Sequence, residues 1–175
     1  MKKNSFINAI LIFIISFPIH FLYELIPYFL TSIIAPVNES IFEHMKLIAT
    51  SIFFARMIIY FIRKKQRLSS DNYIFKSFLN VICTIVIFLI FYLPTYYLFI
   101  GENMAITLIL YFISLLISEA IFQVIWDVKL KHNYNLLGIL LIVGLYILTT
   151  FLTYNPPRVD FFFDPQNKNY GIIKK

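Results

Sequence analysis

The chain has a single cysteine, Cys83, in the middle of an apolar run, so no intrachain disulfide can brace it and the thiol reads as a small apolar filler. It is also poor in charge: 14% of its 175 residues are Asp, Glu, Lys or Arg, against 60% hydrophobic and 19% aromatic. That balance excludes a soluble domain with one core, which could not bury so much apolar surface at this size; lipid must take up the excess. A net charge of +6 and a pI near 9.4 raise nucleic acid as a partner. The basic residues, however, sit in short clusters between apolar runs and make no extended face that would release counterions from phosphates, which argues against it. They read as topology signals and contacts to anionic lipid headgroups. No small-residue cleavage site follows Lys2, Lys3 and the apolar run from Phe6, so that run is expected to remain as a first helix. Internal repeats and low-complexity linkers are absent, which leaves one domain.

What is present fits a membrane bundle. A hydrocarbon core of about 30 Å needs about 20 helical residues, and the template fits at residues 6–28, 40–62, 73–100, 104–126 and 135–154. The expectation is an all-α, polytopic helical bundle of five transmembrane helices over residues 1–154, with an extramembrane or interfacial tail at 155–175. Lysine and arginine concentrate at Lys2 and Lys3, at Arg63, Lys64, Lys65, Arg67 and Lys76, and at Lys129 and Lys131. These fall at alternate ends of the spans, whereas the connectors at 27–38 and 101–103 carry no basic residue. The positive-inside rule then places the N-terminus in the cytoplasm and the tail outside. Arg158, Lys168, Lys174 and Lys175 in the tail pull the other way. If the last span failed to cross, the tail would turn inward.

Ionisable groups within spans are costly unless they face the bundle interior or a wet cavity, which makes them functional candidates. On the first helix Ser16, His20, Tyr23 and Glu24 recur on one face, with Pro18 among them to kink the helix and free backbone carbonyls. The stripe either packs against neighbouring helices through hydrogen bonds or lines a site. A second concentration is Pro36-Val37-Asn38-Glu39-Ser40-Ile41-Phe42-Glu43-His44-Met45-Lys46. Asn38 or Ser40 as N-cap, with Glu43 three residues after Ser40, predicts a capping-box start for the second long helix. At helical spacing Glu39, Glu43, Lys46 and Thr50 share one stripe, and Ser40, His44 and Ser51 the adjoining one.

Capping accounts for Glu39 and Glu43 but not for His44 and Lys46 joining them. The alternative is a site for a small ligand, a proton or a divalent metal, built from His20, Glu24, Asn38, Glu39, Ser40, Glu43, His44 and Lys46. His20, His44 and Glu43 form the expected metal set, since zinc accepts nitrogen and oxygen ligands, with Glu43 also the candidate general base of a metal-dependent enzyme. The spacing matches no metalloprotease signature. A third reading is a structural subunit whose polar residues bond to a partner membrane protein.

Two further features carry expectations. Arg56 lies about 24 Å of helix rise below the start of its span, where it can snorkel toward the cytoplasm. Glu119 comes to a similar depth on the fourth long helix, so an Arg56–Glu119 pair is predicted. The tail, with Pro156, Pro157, Phe161 to Phe163 and the turn-forming Asp164-Pro165, Asn167 and Gly171, reads either as an interfacial segment or as a lid over the bundle. In the lid reading Arg158, Asp160, Asp164 or Tyr170 reaches the polar cluster.

The run Asn38-Glu39-Ser40-x-x-Glu43-His44-x-Lys46, the histidine at position 20 and the closing Phe163-Asp164-Pro165 and Tyr170-Gly171 together resemble a family of small bacterial multi-pass membrane proteins of unknown function. Phe42 stands where that pattern leads one to expect tryptophan. The resemblance covers most of the chain and implies a membrane location, with no activity attached.

Overall fold

The computed structural model describes residues 3–68, 70–100 and 103–172. Lys2, Gly101, Glu102, Lys174 and Lys175, which enter the loop-charge and connector expectations, lie outside the described residues. Six helices follow one another: α1 (Lys3–Leu25), α2 (Phe29–Ile34), α3 (Ile41–Lys65), α4 (Tyr73–Thr95), α5 (Met104–Asp127) and α6 (Asn135–Tyr154). Five of them are long and apolar enough to cross a membrane. A short hairpin, β1 (Phe163–Asp164) antiparallel to β2 (Asn169–Tyr170), closes the described chain.

Local chemistry sets the boundaries. Pro27 stops α1 at Leu25, three residues before the predicted end, because the residue before a proline is pushed out of the α region. Pro36 likewise ends α2, with Ala35 extended at φ −112° and ψ 152°. The connector at 27–38 thus contains a helix of six residues that the apolar pattern did not separate from its surroundings. Ser40 is the N-cap of α3, accepting the Glu43 N–H at 3.3 Å. Only half of the predicted capping box forms, because Ser40 N–H donates to Asn38 Oδ1 at 2.9 Å and the Glu43 carboxylate turns elsewhere. Pro94 removes a helical donor near the end of α4, and the chain widens into a π turn over Tyr96–Ile100. By contrast, α1 runs unbroken through Pro18.

The long helices pack as α1 on α3 and α5, and α4 on α3, α5 and α6. α4 and α6 come so close that a Cβ at Gly138 would lie 2.6 Å from the Phe75 backbone nitrogen, which only glycine allows. The distribution of polarity is the reverse of a soluble protein's. Ser16, Thr50, Ser51, Asn80, Thr84, Ser114 and Ser118 are buried, while Ile14, Ile90, Val124, Leu140, Ile147 and Phe151 are 59% to 68% exposed. These buried hydroxyls answer other hydroxyls or the backbone, as in Thr84 Oγ1 donating to Ser118 Oγ at 2.8 Å. An apolar exterior around a hydrogen-bonded interior is what packing in lipid requires.

α6 runs the full length of the bundle. At its start Asn135 Oδ1 accepts the Ile74 N–H at the beginning of α4, and at its end Thr153 meets the first turn of α3. Its 20 residues span about 30 Å. The hairpin therefore lies at the same end of the bundle as the N-terminus of α3. Arg63, Lys64 and Lys65 lie at the opposite, basic end, where Lys76 Nζ donates to the Trp126 and Val128 carbonyls at 2.9 Å and caps α5.

Candidate metal centre

The polar run before and within α3 divides into two sets with separate surroundings. In the first, Glu43 and Lys46 form an ion pair at 2.6 Å with both side chains 1% exposed. Lys46 Nζ also donates to the Ser32 carbonyl at 2.8 Å and to Thr153 Oγ1 at 3.1 Å, which uses all three ammonium protons. Glu43 accepts from Thr153 Oγ1 at 2.7 Å and from the Val37 N–H at 3.2 Å. One carboxylate and one ammonium thus tie α2, α3, α6 and the intervening connector together. Asn38 extends the tie, donating from Nδ2 to the Gly171 carbonyl at 2.8 Å while capping Ser40 N–H. Gly171 sits at φ +65°, and a Cβ there would lie 2.8 Å from the Thr153 carbonyl, so the Tyr-Gly step docks the hairpin only with glycine. Phe42 adds a ring contact to Phe162 at 4.6 Å between centroids.

The second set is His20, Glu39 and His44. The ligand atoms of these three lie within 4.8 Å of one another. Glu39 Oε2 is 3.6 Å from His20 Nε2 and 3.5 Å from His44 Nε2. Those separations are too long for hydrogen bonds. They are close to the edge, about 3.3–3.4 Å, of a tetrahedron whose nitrogen and oxygen ligands stand about 2.0–2.1 Å from a zinc ion. His44 Nδ1 lies 2.9 Å from the Ser40 carbonyl. A carbonyl only accepts, so Nδ1 donates to it and Nε2 is the ring atom that faces Glu39, the way a backbone carbonyl orients a metal-binding histidine. His20 stacks on Phe21 at 5.0 Å and meets His44 edge-on at 5.8 Å. As metal ligands, two imidazoles and one carboxylate would supply a donor set of charge −1, which suits a divalent ion of borderline softness.

Glu39, rather than Glu43, is the carboxylate that faces the imidazoles, and the reason is local. Ser40, the N-cap, has φ −72° and ψ 155°, so Glu39 precedes the helix and leaves the stripe that helical spacing assigned to it. Ser40 contributes its carbonyl, and Lys46 belongs to the clamp. Glu24, with Tyr23, His20, Asn38 and Glu39, lines a vestibule of about 570 Å³ at the hairpin end. The hairpin reaches it through Gln166 and Asn167, which sequence reasoning missed. Asp164 builds the turn that aims them: it is fully buried, with Oδ1 accepting from the Gln166 and Asn167 N–H groups and Oδ2 from Asn167 Nδ2. The Asx-turn chemistry of Asp-Pro-x-Asn was the available signal. Tyr170 pairs with Phe163 in the hairpin, while Arg158 and Asp160 stay exposed.

A buried polar group lies deeper in the bundle. Arg56 pairs with Glu119, as predicted, with side chains 3% and 0% exposed. Its guanidinium also donates to Asn80 Oδ1 at 2.8 Å and lies 3.8 Å above the Phe122 ring. Arg56 therefore turns inward instead of snorkelling to the basic end, because Glu119 offers it a counter-charge, Asn80 an acceptor and Phe122 a ring face.

No curated protein and no solved structure matches the chain. A family model does match, over residues 1–172, nearly the whole length and both polar sets. The chain belongs to the family of unknown function DUF6512.

Proposed function

We propose that this chain is a multi-pass protein of a bacterial cytoplasmic membrane that holds a divalent transition-metal ion, of which zinc is the type, at His20, Glu39 and His44. The observation that carries the reading is the pair of 3.5 and 3.6 Å separations about Glu39 Oε2, too long for hydrogen bonds and near a tetrahedral edge. The hairpin end faces outward in this reading. Its support is the loop charge: Arg63, Lys64, Lys65, Arg67, Lys129 and Lys131 collect at the other end, as the positive-inside rule asks of a cytoplasmic face. Three protein ligands leave a fourth position open, the arrangement of sites that bind or activate a further ligand rather than purely structural ones. The vestibule supplies water and small polar solutes to it.

Elemental analysis of the purified full chain after growth with zinc tests the reading. One metal per chain is expected in wild type, with most of it lost in His20→Ala, Glu39→Gln and His44→Ala. A wild-type protein without stoichiometric metal, or a Glu39→Gln protein that keeps it, overturns the assignment.

A further inference from the structure

His20 and Glu39 border two cavities of opposite character. On one side is the vestibule of about 570 Å³, with Tyr23, Glu24, Asn38, Gln166 and Asn167 in its wall. On the other is a cleft of about 90 Å³ that also takes in His44 and is otherwise mostly apolar, with Phe17, Phe21, Leu47, Phe88, Met104 and Leu108 in its wall. The cleft lies among α1, α3, α4 and α5. Its rim residues Phe17, Phe21 and Met104 are 40%, 45% and 70% exposed on the apolar outer face of the bundle. A path from that face to the histidines is thus apolar until it reaches them, and the path beyond them is polar.

From this we infer that the site takes a membrane lipid by its polar–apolar junction: the acyl chain lies in the cleft, the headgroup in the vestibule, and the oxygen atoms between them at the metal. The inference rests on the metal reading above and names the ligand class for the open position. A soluble ligand would have no use for an apolar approach from the lipid-facing side. A purely apolar one would leave the vestibule and the carboxylates beside it unused. An amphiphile matches both walls at once, and its polar–apolar boundary coincides with the level at which α1 and α3 carry their histidines near the end of the bundle. Burial of each methylene in the cleft adds about 0.8 kcal/mol, or about four-fold in affinity.

The test uses full-length protein loaded with cobalt, whose visible spectrum reports ligation, and two hydroxamates as probes. Acetohydroxamate carries the metal-binding group alone; octanohydroxamate carries it on a chain. Octanohydroxamate is expected to bind at least ten-fold more tightly. Leu108→Trp, which narrows the cleft from α5 and replaces none of the three ligands, is expected to erase that difference while the protein retains its metal. Equal affinities in wild type, or a chain-length preference that survives Leu108→Trp, overturn the lipid assignment and leave the metal site standing. A wild-type protein that fails to retain cobalt or zinc sinks both.

Discussion

Breaking the Glu43–Lys46 pair separates what holds the fold from what forms the site. In Lys46→Met the Glu43 carboxylate, 1% exposed in the wild type, keeps hydrogen bonds from Thr153 Oγ1 and the Val37 N–H but loses the counter-charge 2.6 Å away. Removing one partner of a buried pair costs about 3–5 kcal/mol, which for a chain of this length is a fall in Tm of roughly 6–20 °C. The double variant Glu43→Leu/Lys46→Met removes both charges and leaves only neutral orphans, the Val37 N–H, the Ser32 carbonyl and the Thr153 hydroxyl. Its cost should be below the sum of the two single variants and no greater than the worse of them. Thermal unfolding in detergent, followed by loss of the monodisperse peak, measures all three. Metal content read on a further variant, Glu43→Gln, supplies the discriminating signal: it retains metal while losing stability. Additive costs, or loss of metal in a still-folded Glu43→Gln protein, would refute the division into clamp and site.

Three further outcomes follow from the same geometry. Glu119→Gln leaves the buried Arg56 guanidinium with neutral acceptors and the Phe122 face but no counter-charge, and should cost about 3–5 kcal/mol; the exchange Arg56→Glu/Glu119→Arg should recover part of it in thermal unfolding, and no recovery would mean that the pair is not what stabilises this region. Gly171→Ala forces a side chain onto φ +65° and within 2.8 Å of the Thr153 carbonyl. It should undock the hairpin at a cost of about 1–3 kcal/mol, seen as faster protease cleavage in the tail; wild-type cleavage rates would refute the docking. Acidification should strip the metal, since protons compete with it for the imidazole nitrogens while neutral or mildly alkaline solution leaves them as ligands. Metal content after dialysis at about pH 5 and pH 7.5 checks the sign, and equal retention would argue against histidine ligation.

The long helices were legible because length and apolarity alone specify them. The Arg56–Glu119 pair was legible too, since both positions could be placed by counting rise along two helices, α3 and α5, that run in the same direction. α2 was not, for six residues between two prolines make no periodic signal of their own. The exchange of Glu43 for Glu39 at the histidines was hidden by treating the run from residue 39 as one helix, when the N-cap at Ser40 turns the chain by a single extended residue. Gln166 and Asn167 were out of reach for a different reason: nothing local to a hairpin tip says which surface it meets.

By itself, then, the sequence determined the class of protein and its stock of polar groups. Apolar length, the scarcity of charge and its placement between runs admit few environments other than lipid. Only the tertiary structure decided which polar group serves which purpose. Glu39 and Glu43 are the same residue type four residues apart, and their roles diverge because two imidazoles from separate helices surround the first while Lys46 and Thr153 surround the second. Those surroundings come from chain segments far apart in sequence, brought together by the packing of α1 and α6 against α3 and α4, and no property of either glutamate alone foretells them.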